Sequence, residues 1–169
     1  MKKNLVLLGM MAAGKTTLAK IVAKKLDLEF IDTDKNIEEK NSMTIVDIFR
    51  KKGEPFFRNE EKKEVIKTIK KKNCVISIGG GAFVDKTIRD IVLQNSLSIW
   101  LSVDLEILQK RIKKNNKRPL LLVDEYKKKL RELYFERNKI YQLADYTIEC
   151  GNLSKNDIAN KIIELYDKK

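Results

Sequence analysis

Gly9 and Gly14 enclose four residues and are followed at once by Lys15, Thr16 and Thr17, the composition and spacing of a loop that holds phosphates. Glycines let the backbone turn tightly, so that successive N–H groups of Met11, Ala12 and Ala13 face phosphate oxygens. A helix starting just beyond adds its positive end. Lys15 would reach the terminal phosphates, and the Thr16 hydroxyl would ligate Mg²⁺. Further along, Phe30-Ile31-Asp32-Thr33-Asp34 places two carboxylates two residues apart. In an extended chain both point the same way. Beside a nucleotide's phosphates, one can support the metal shell while the other orients and deprotonates an attacking hydroxyl. Without the loop, the pair is equally well a strand end followed by a helix cap. Gly79-Gly80-Gly81 is costly in backbone entropy. Close approach of a ligand to bare N–H groups explains three glycines, and an ordinary tight turn is the simpler alternative.

These residues need elements to hold them. Apolar runs at Leu5–Leu8, Glu29–Asp32, Cys74–Ile78, Leu97–Leu101 and Tyr146–Cys150 read as buried strands. Helical patterns lie between and after them, at 15–26, 34–41, 44–52, 54–72, 85–95, 104–114, 124–143 and 154–167. Asp104, Pro55 and Ser154 supply boundary signals. Such alternation predicts an α/β fold with a parallel sheet and helices on both faces. Ligands of such sheets bind beyond the carboxyl ends of the strands, where the loop, the aspartates and the glycine run all fall.

The first residues, two lysines followed by an apolar run and small alanines, also look like a secretory leader. Gly-Lys-Thr-Thr interrupts that run where a cleavage site would lie, and cleavage would remove the first strand, so the phosphate loop is preferred. The chain has 169 residues, 43% hydrophobic and 36% charged, the size of one domain with a normal core. No run approaches the roughly 18 apolar residues of a membrane span. Two cysteines and no histidine exclude a disulfide scaffold, histidine catalysis and the commonest metal ligand, and a cytoplasmic location is expected. The net charge of +12 comes from 29 lysines and 7 arginines. Nucleic acid would be one partner for it, but the lysines interleave with acids along helices, as on a solvated face. Arginines are scarcer, so an arginine in place of the default lysine is a signal to look for a planar fork.

Taken in order, the loop at 9–17, FIDTD at 30–34, IVDIFRKKGEPFFRNEE at 45–61, GGG at 79–81, KRPL at 117–120 and ERNKIY at 136–141 resemble the shikimate kinases along nearly the whole chain. The resemblance implies a three-layer P-loop NTPase fold: a five-stranded parallel sheet flanked by helices, with a helical substrate-binding region and a lid. It implies one kinase domain over 1–169, with a core at 1–32, 73–111 and 124–169, a substrate region at about 33–61 and a lid at about 112–123. The activity implied is transfer of phosphate from ATP to shikimate in aromatic amino acid biosynthesis, with one Mg²⁺ per subunit. A related kinase of another hydroxy acid, such as gluconate, is the alternative. By position, Asp34 would act as base on the substrate hydroxyls, and Thr16 and Asp32 would serve the metal. Arg58 and Arg137 would hold the substrate carboxylate, Gly79, Gly80 and Gly81 would touch its hydroxyl side, and Phe49 and Phe57 would wall it. Gly9, Met11, Ala12, Ala13, Gly14, Lys15, Thr16 and Thr17 would bind ATP, and Arg111 would stack on adenine; which residues meet the adenine edge is left open, with 149–154 the candidate stretch. Arg118 would lie on the phosphates, and 115–122 would close when both substrates are bound.

Residue patterns add separate support. Arg137 falls in the helical stripe Leu130, Leu133, Tyr134, Arg137, Tyr141, where an apolar residue is expected; an inward arginine needs a partner, either a substrate carboxylate or an internal salt bridge. Arg58 lies one turn after Glu54, so a surface ion pair competes with the substrate role. Two positions depart from the family pattern: Ala12 and Asn41-Ser42 stand where glycine is usual. If Ala12 needs positive φ, it costs about 1 kcal/mol. The partners expected are ATP and shikimate, with no nucleic acid or membrane, and a monomer is expected.

Overall fold

The computed structural model describes residues 4–113 and 126–168. Five strands, β1 (Asn4–Leu8), β2 (Glu29–Asp32), β3 (Cys74–Ser77), β4 (Ser96–Ser102) and β5 (Tyr146–Glu149), form one sheet in the order β2-β3-β1-β4-β5. Every pairing is parallel, for example Val6 with Ile76 on one side and with Ser98 on the other. The central strand β1 is buried throughout, as a parallel strand covered on both faces must be. Its aliphatic residues join those of β3 and β4 in the main core.

The helices are α1 (Lys15–Leu26), α2 (Thr33–Asn41), α3 (Ile45–Lys52), α4 (Glu54–Ile69), α5 (Lys86–Asn95), α6 (Leu105–Lys113), α7 (Tyr126–Tyr141) and α8 (Lys155–Asp167), with a short 3₁₀ turn at Ala82–Val84. Asp85 and Ser154 cap α5 and α8 through their side chains. Helices α2, α3 and α4 share a separate apolar cluster, in which Ile37, Ile48 and Phe57 are buried and Phe49 packs at the edge. This small second core lets the three helices form a unit beside the sheet. Residues 114–125, with Arg118, KRPL, the segment 115–122 and most of the lid expected at about 112–123, lie outside the described residues.

Several boundaries shift from the sequence expectation by one to three residues, and two of the shifts have a local reason that bears on the site. Helix α4 stops at Ile69 instead of residue 72. The buried Asn4 side chain donates to the carbonyls of Ile69 (3.2 Å) and Lys71 (2.7 Å), and Asn73 turns the chain with φ 58°. The extended run through Asp34 is also corrected. Asp32 is the N-cap of α2, and its Oδ1 accepts from the N–H groups of Asp34 (3.1 Å) and Lys35 (3.2 Å). Helix thus begins at Thr33, and the two carboxylates do not share a strand face.

Ala12 adopts φ 62°, the left-handed region that favours glycine, and Ser42 at the end of α2 does the same at φ 49°. Both departures from glycine therefore carry backbone strain. Ala12→Gly should raise the melting temperature by about 2–4 °C, the shift that about 1 kcal/mol produces in a domain of this size. Thermal unfolding followed by circular dichroism checks it, and an unchanged or lower midpoint would mean that the loop absorbs the strain.

Candidate active site

Gly14, with φ 95°, ends the loop and sits at the N-cap of α1 without a capping side chain, so the first N–H groups of the helix remain for a ligand. Gly9 is required by φ 143° and by space, since a Cβ there would lie 2.8 Å from the Leu101 carbonyl oxygen. Lys15 folds over the loop, its Nζ donating to the carbonyls of Gly9 and Met10, both at 2.9 Å. The Thr16 hydroxyl donates to Asp32 Oδ2 at 2.7 Å. Asp32 thereby ties the loop to α2 with one oxygen and caps α2 with the other.

These groups line a cleft of about 750 Å³ that runs from the loop to the carboxyl end of β5. Ala12, Ala13, Gly14, Lys15, Thr16, Thr17, Asp32 and Asp34 line it. Arg111, Cys150 and Leu153 also line it, so part of the 149–154 stretch borders the cleft. Arg111 Nη1 donates to the Ala12 carbonyl at 3.1 Å, which fixes α6 to the loop. Burial pushes the Cys150 thiol up to about 11, so it stays neutral.

A smaller niche opens on the other side of Asp34. It is lined by Asp34, Met11, Phe49, Phe57, Arg58, Glu61, Gly79, Gly80, Gly81 and Arg137. Phe49 and Phe57 pack at 4.8 Å between ring centroids to make its apolar wall. Met11 lines this niche and not the larger cleft, although the sequence grouped it with the nucleotide residues. Asp34 is the carboxylate that lines both spaces.

Arg58 is half-buried between two acids. It donates to Glu54 Oε1 from Nε (3.2 Å) and Nη2 (3.1 Å), and from Nη1 to Glu61 Oε2 (2.8 Å). The ion pair with Glu54 that the spacing suggested is therefore present, and it leaves the guanidinium in the niche wall. Arg137 is 7% exposed on the inward stripe of α7, beside buried Leu130, Leu133 and Tyr141.

Glu61 was not singled out in the sequence. It is 1% exposed, and its Oε1 accepts no hydrogen bond among the described residues. Burial pushes its carboxyl up, opposed by the positive charges of Arg58 and Arg137. Its one signal in the sequence is its position, one turn after Arg58 in α4, where an i, i+3 pair can form. The glycine run has a reason beyond ligand approach. A Cβ on Gly79 would stand 2.7 Å from Asp34 Oδ1, and one on Gly81 2.7 Å from Arg58 Cζ. Gly81 has φ −89°, so what it needs there is space and not left-handed freedom.

The sequence model described as shikimate kinase matches residues 11–167. A shikimate kinase of Thermoanaerobacter pseudethanolicus is 43% identical over 164 residues, 97% of this chain and 96% of that protein. One from Caldanaerobacter subterraneus is 41% identical over 98% of this chain and 97% of its own length. The solved structure of shikimate kinase from Acinetobacter baumannii in complex with shikimate superposes with a TM-score of 0.95 at 36% identity, covering 99% of this chain and 94% of that one. A gluconokinase from Sinorhizobium meliloti shares the fold at a TM-score of 0.64, but with 13% identity it speaks to the fold alone. A P-loop, a five-stranded parallel sheet and near-full-length identity to these enzymes converge on one assignment: the chain belongs to the shikimate kinase family.

Proposed function

We propose that this chain transfers the terminal phosphoryl group of ATP to a hydroxyl of shikimate, giving shikimate 3-phosphate and ADP. The observation that carries this is the place of Asp34 in the wall common to the loop cleft and to a niche with two arginines. ATP would lie with its phosphates on the loop and its base toward Arg111 and Leu153. Shikimate would lie in the niche, its carboxylate on Arg58 and Arg137 and its ring on Phe49 and Phe57. The relative whose solved structure holds shikimate supports that choice of substrate.

The chemistry then follows from position and charge. Asp34 accepts the proton of the attacking hydroxyl and aligns that oxygen with the terminal phosphorus. The bond to the bridging oxygen breaks as the new oxygen–phosphorus bond forms, and the electrons leave with ADP. Lys15 leaves the loop carbonyls for the phosphate oxygens and stabilises their charge. Thr16 Oγ1 and Asp32 offer hard oxygen donors 2.7 Å apart at the loop, a set that suits a small divalent cation shared with phosphates and water. When bound, Mg²⁺ would neutralise phosphate charge there. The arginines fix the substrate so that reaction becomes effectively unimolecular.

Release of ADP, coupled to a spectroscopic readout, tests the assignment across shikimate, gluconate and other hydroxy acids. Turnover with shikimate and none with gluconate is expected. Faster turnover of gluconate would reassign the niche. Filter binding to oligonucleotides over a salt series should show only weak, salt-sensitive retention by the lysine surface.

A further inference from the structure

We propose that Tyr141 is a positioning residue for the carboxylate clamp, its hydroxyl joining the Arg137 guanidinium to the Gly80 carbonyl. This rests on the reaction assigned above and extends it to a side chain that does not itself line the niche.

Tyr141 is 0% exposed and is the last residue of α7, one turn after Arg137 and on the same face. Its hydroxyl meets three parts of the site. It donates to the Gly80 carbonyl. It lies 3.9 Å from Sδ of Met10 in the phosphate loop. The Arg137 guanidinium comes up to the same glycine, since a Cβ on Gly80 would lie 3.4 Å from Arg137 Nη1, and its positive charge acts on the phenol. A guanidinium only donates, and the single Tyr141 proton goes to Gly80, so in the proposed relay the phenol oxygen is left to accept from Arg137. Such a relay has one possible direction, from Arg137 N–H to Tyr141 O–H to Gly80 C=O. Burial pushes the phenol up to about 12, which keeps that proton in place at any working pH.

The Gly80 carbonyl belongs to a rigid trans peptide. Pinning it also sets the direction of the Gly81 N–H on the far side of the same plane, and Gly81 lines the niche. Gly80 is in turn wedged against the loop: a Cβ there would be 3.4 Å from Gly9 O, Met11 N and Arg137 Nη1 alike. Tyr141 thus sets one arginine and one peptide plane relative to each other and to the phosphate loop. A phenylalanine would fill the same space beside Trp100, whose ring centroid is 5.9 Å away, but could neither accept nor donate.

Steady-state kinetics of Tyr141→Phe, measured beside the unaltered enzyme, provide the test. The KM for shikimate should rise about tenfold, the size of one lost buried hydrogen bond, with the KM for ATP and kcat little changed. In an Arg137→Lys background the same replacement should add almost nothing to the KM for shikimate, because the relay is already broken. A purely structural tyrosine would lower the melting temperature and leave the KM for shikimate unchanged, or would affect both substrates alike; either result overturns the proposal. Full additivity in the Arg137→Lys background also overturns it. If Tyr141→Phe does not fold, 3-fluorotyrosine placed at 141 keeps the ring and hydroxyl but weakens the oxygen as acceptor. The KM for shikimate should then still rise, and an unchanged value rejects the relay. Failure of the unaltered enzyme to turn over shikimate would instead overturn the assignment of the reaction, and the proposal with it.

Discussion

Asp34→Asn should lower kcat by about 10³-fold, within the range that a positioned general base contributes, while ATP affinity stays near that of the unaltered enzyme. The amide keeps the size of the carboxylate and can still hydrogen-bond the substrate, but it cannot take the proton. The geometry explains why so much rests on this residue. Asp34 lies in the first turn of α2 and lines both the loop cleft and the niche, so it is placed to meet the hydroxyl and the phosphoryl group together. Asp32→Asn should act differently. Asp32 holds Thr16 at 2.7 Å and caps α2, so its loss should weaken nucleotide binding and raise the Mg²⁺ concentration needed for turnover. Calorimetric titration with ATP, with and without Mg²⁺, separates the two. Equal loss of ATP affinity in both variants would show that the carboxylates act as one group. A drop of only a few-fold in kcat for Asp34→Asn would mean that Asp34 orients the hydroxyl without accepting its proton.

Much of the fold was legible because strand and helix periods differ and alternate cleanly along the chain. The loop was legible too, since Gly9, Gly14, Lys15 and Thr16 carry their chemistry in residue type and local spacing. What escaped the sequence depends on contacts between distant segments. Asp32 and Asp34 look like neighbours on a strand, and only the capping bonds to Asp34 N and Lys35 N show that the helix has already begun. Glu61 looks like one more acid in a charged helix. It becomes distinctive only when α4 packs beside Gly79 and buries its carboxyl with Arg58 and Arg137. The glycine run could be read as ligand approach or as a tight turn. The side chains nearest it are in fact those of Glu61, Asp34, Arg58 and Arg137, which come from three different helices. Tyr141 appeared in the sequence as an apolar member of a stripe, because periodicity registers its ring and is silent about its hydroxyl.

Arg137→Ala should raise the KM for shikimate by about 100-fold, with a smaller effect on the KM for ATP. Arg137 is the cleaner of the two arginines to test. Arg58 holds the buried Glu61 through a 2.8 Å bond, so its removal would leave that carboxyl without its hydrogen-bonded partner and confuse loss of binding with loss of stability. Arg137 reaches the niche from a different helix, and its removal leaves the Arg58–Glu61 pair intact. Lysine at 137 should recover little of the loss. It restores the charge but not the planar fork that can grip a carboxylate with two parallel bonds, and it cannot hold the Tyr141 oxygen in the same geometry. Competition by substrate analogues supplies the decisive comparison. An analogue with the carboxylate replaced by a neutral amide should bind the unaltered enzyme weakly and should lose almost nothing further in Arg137→Ala. If the amide analogue loses as much as shikimate does, then Arg137 supports the niche by packing and the substrate carboxylate is held elsewhere.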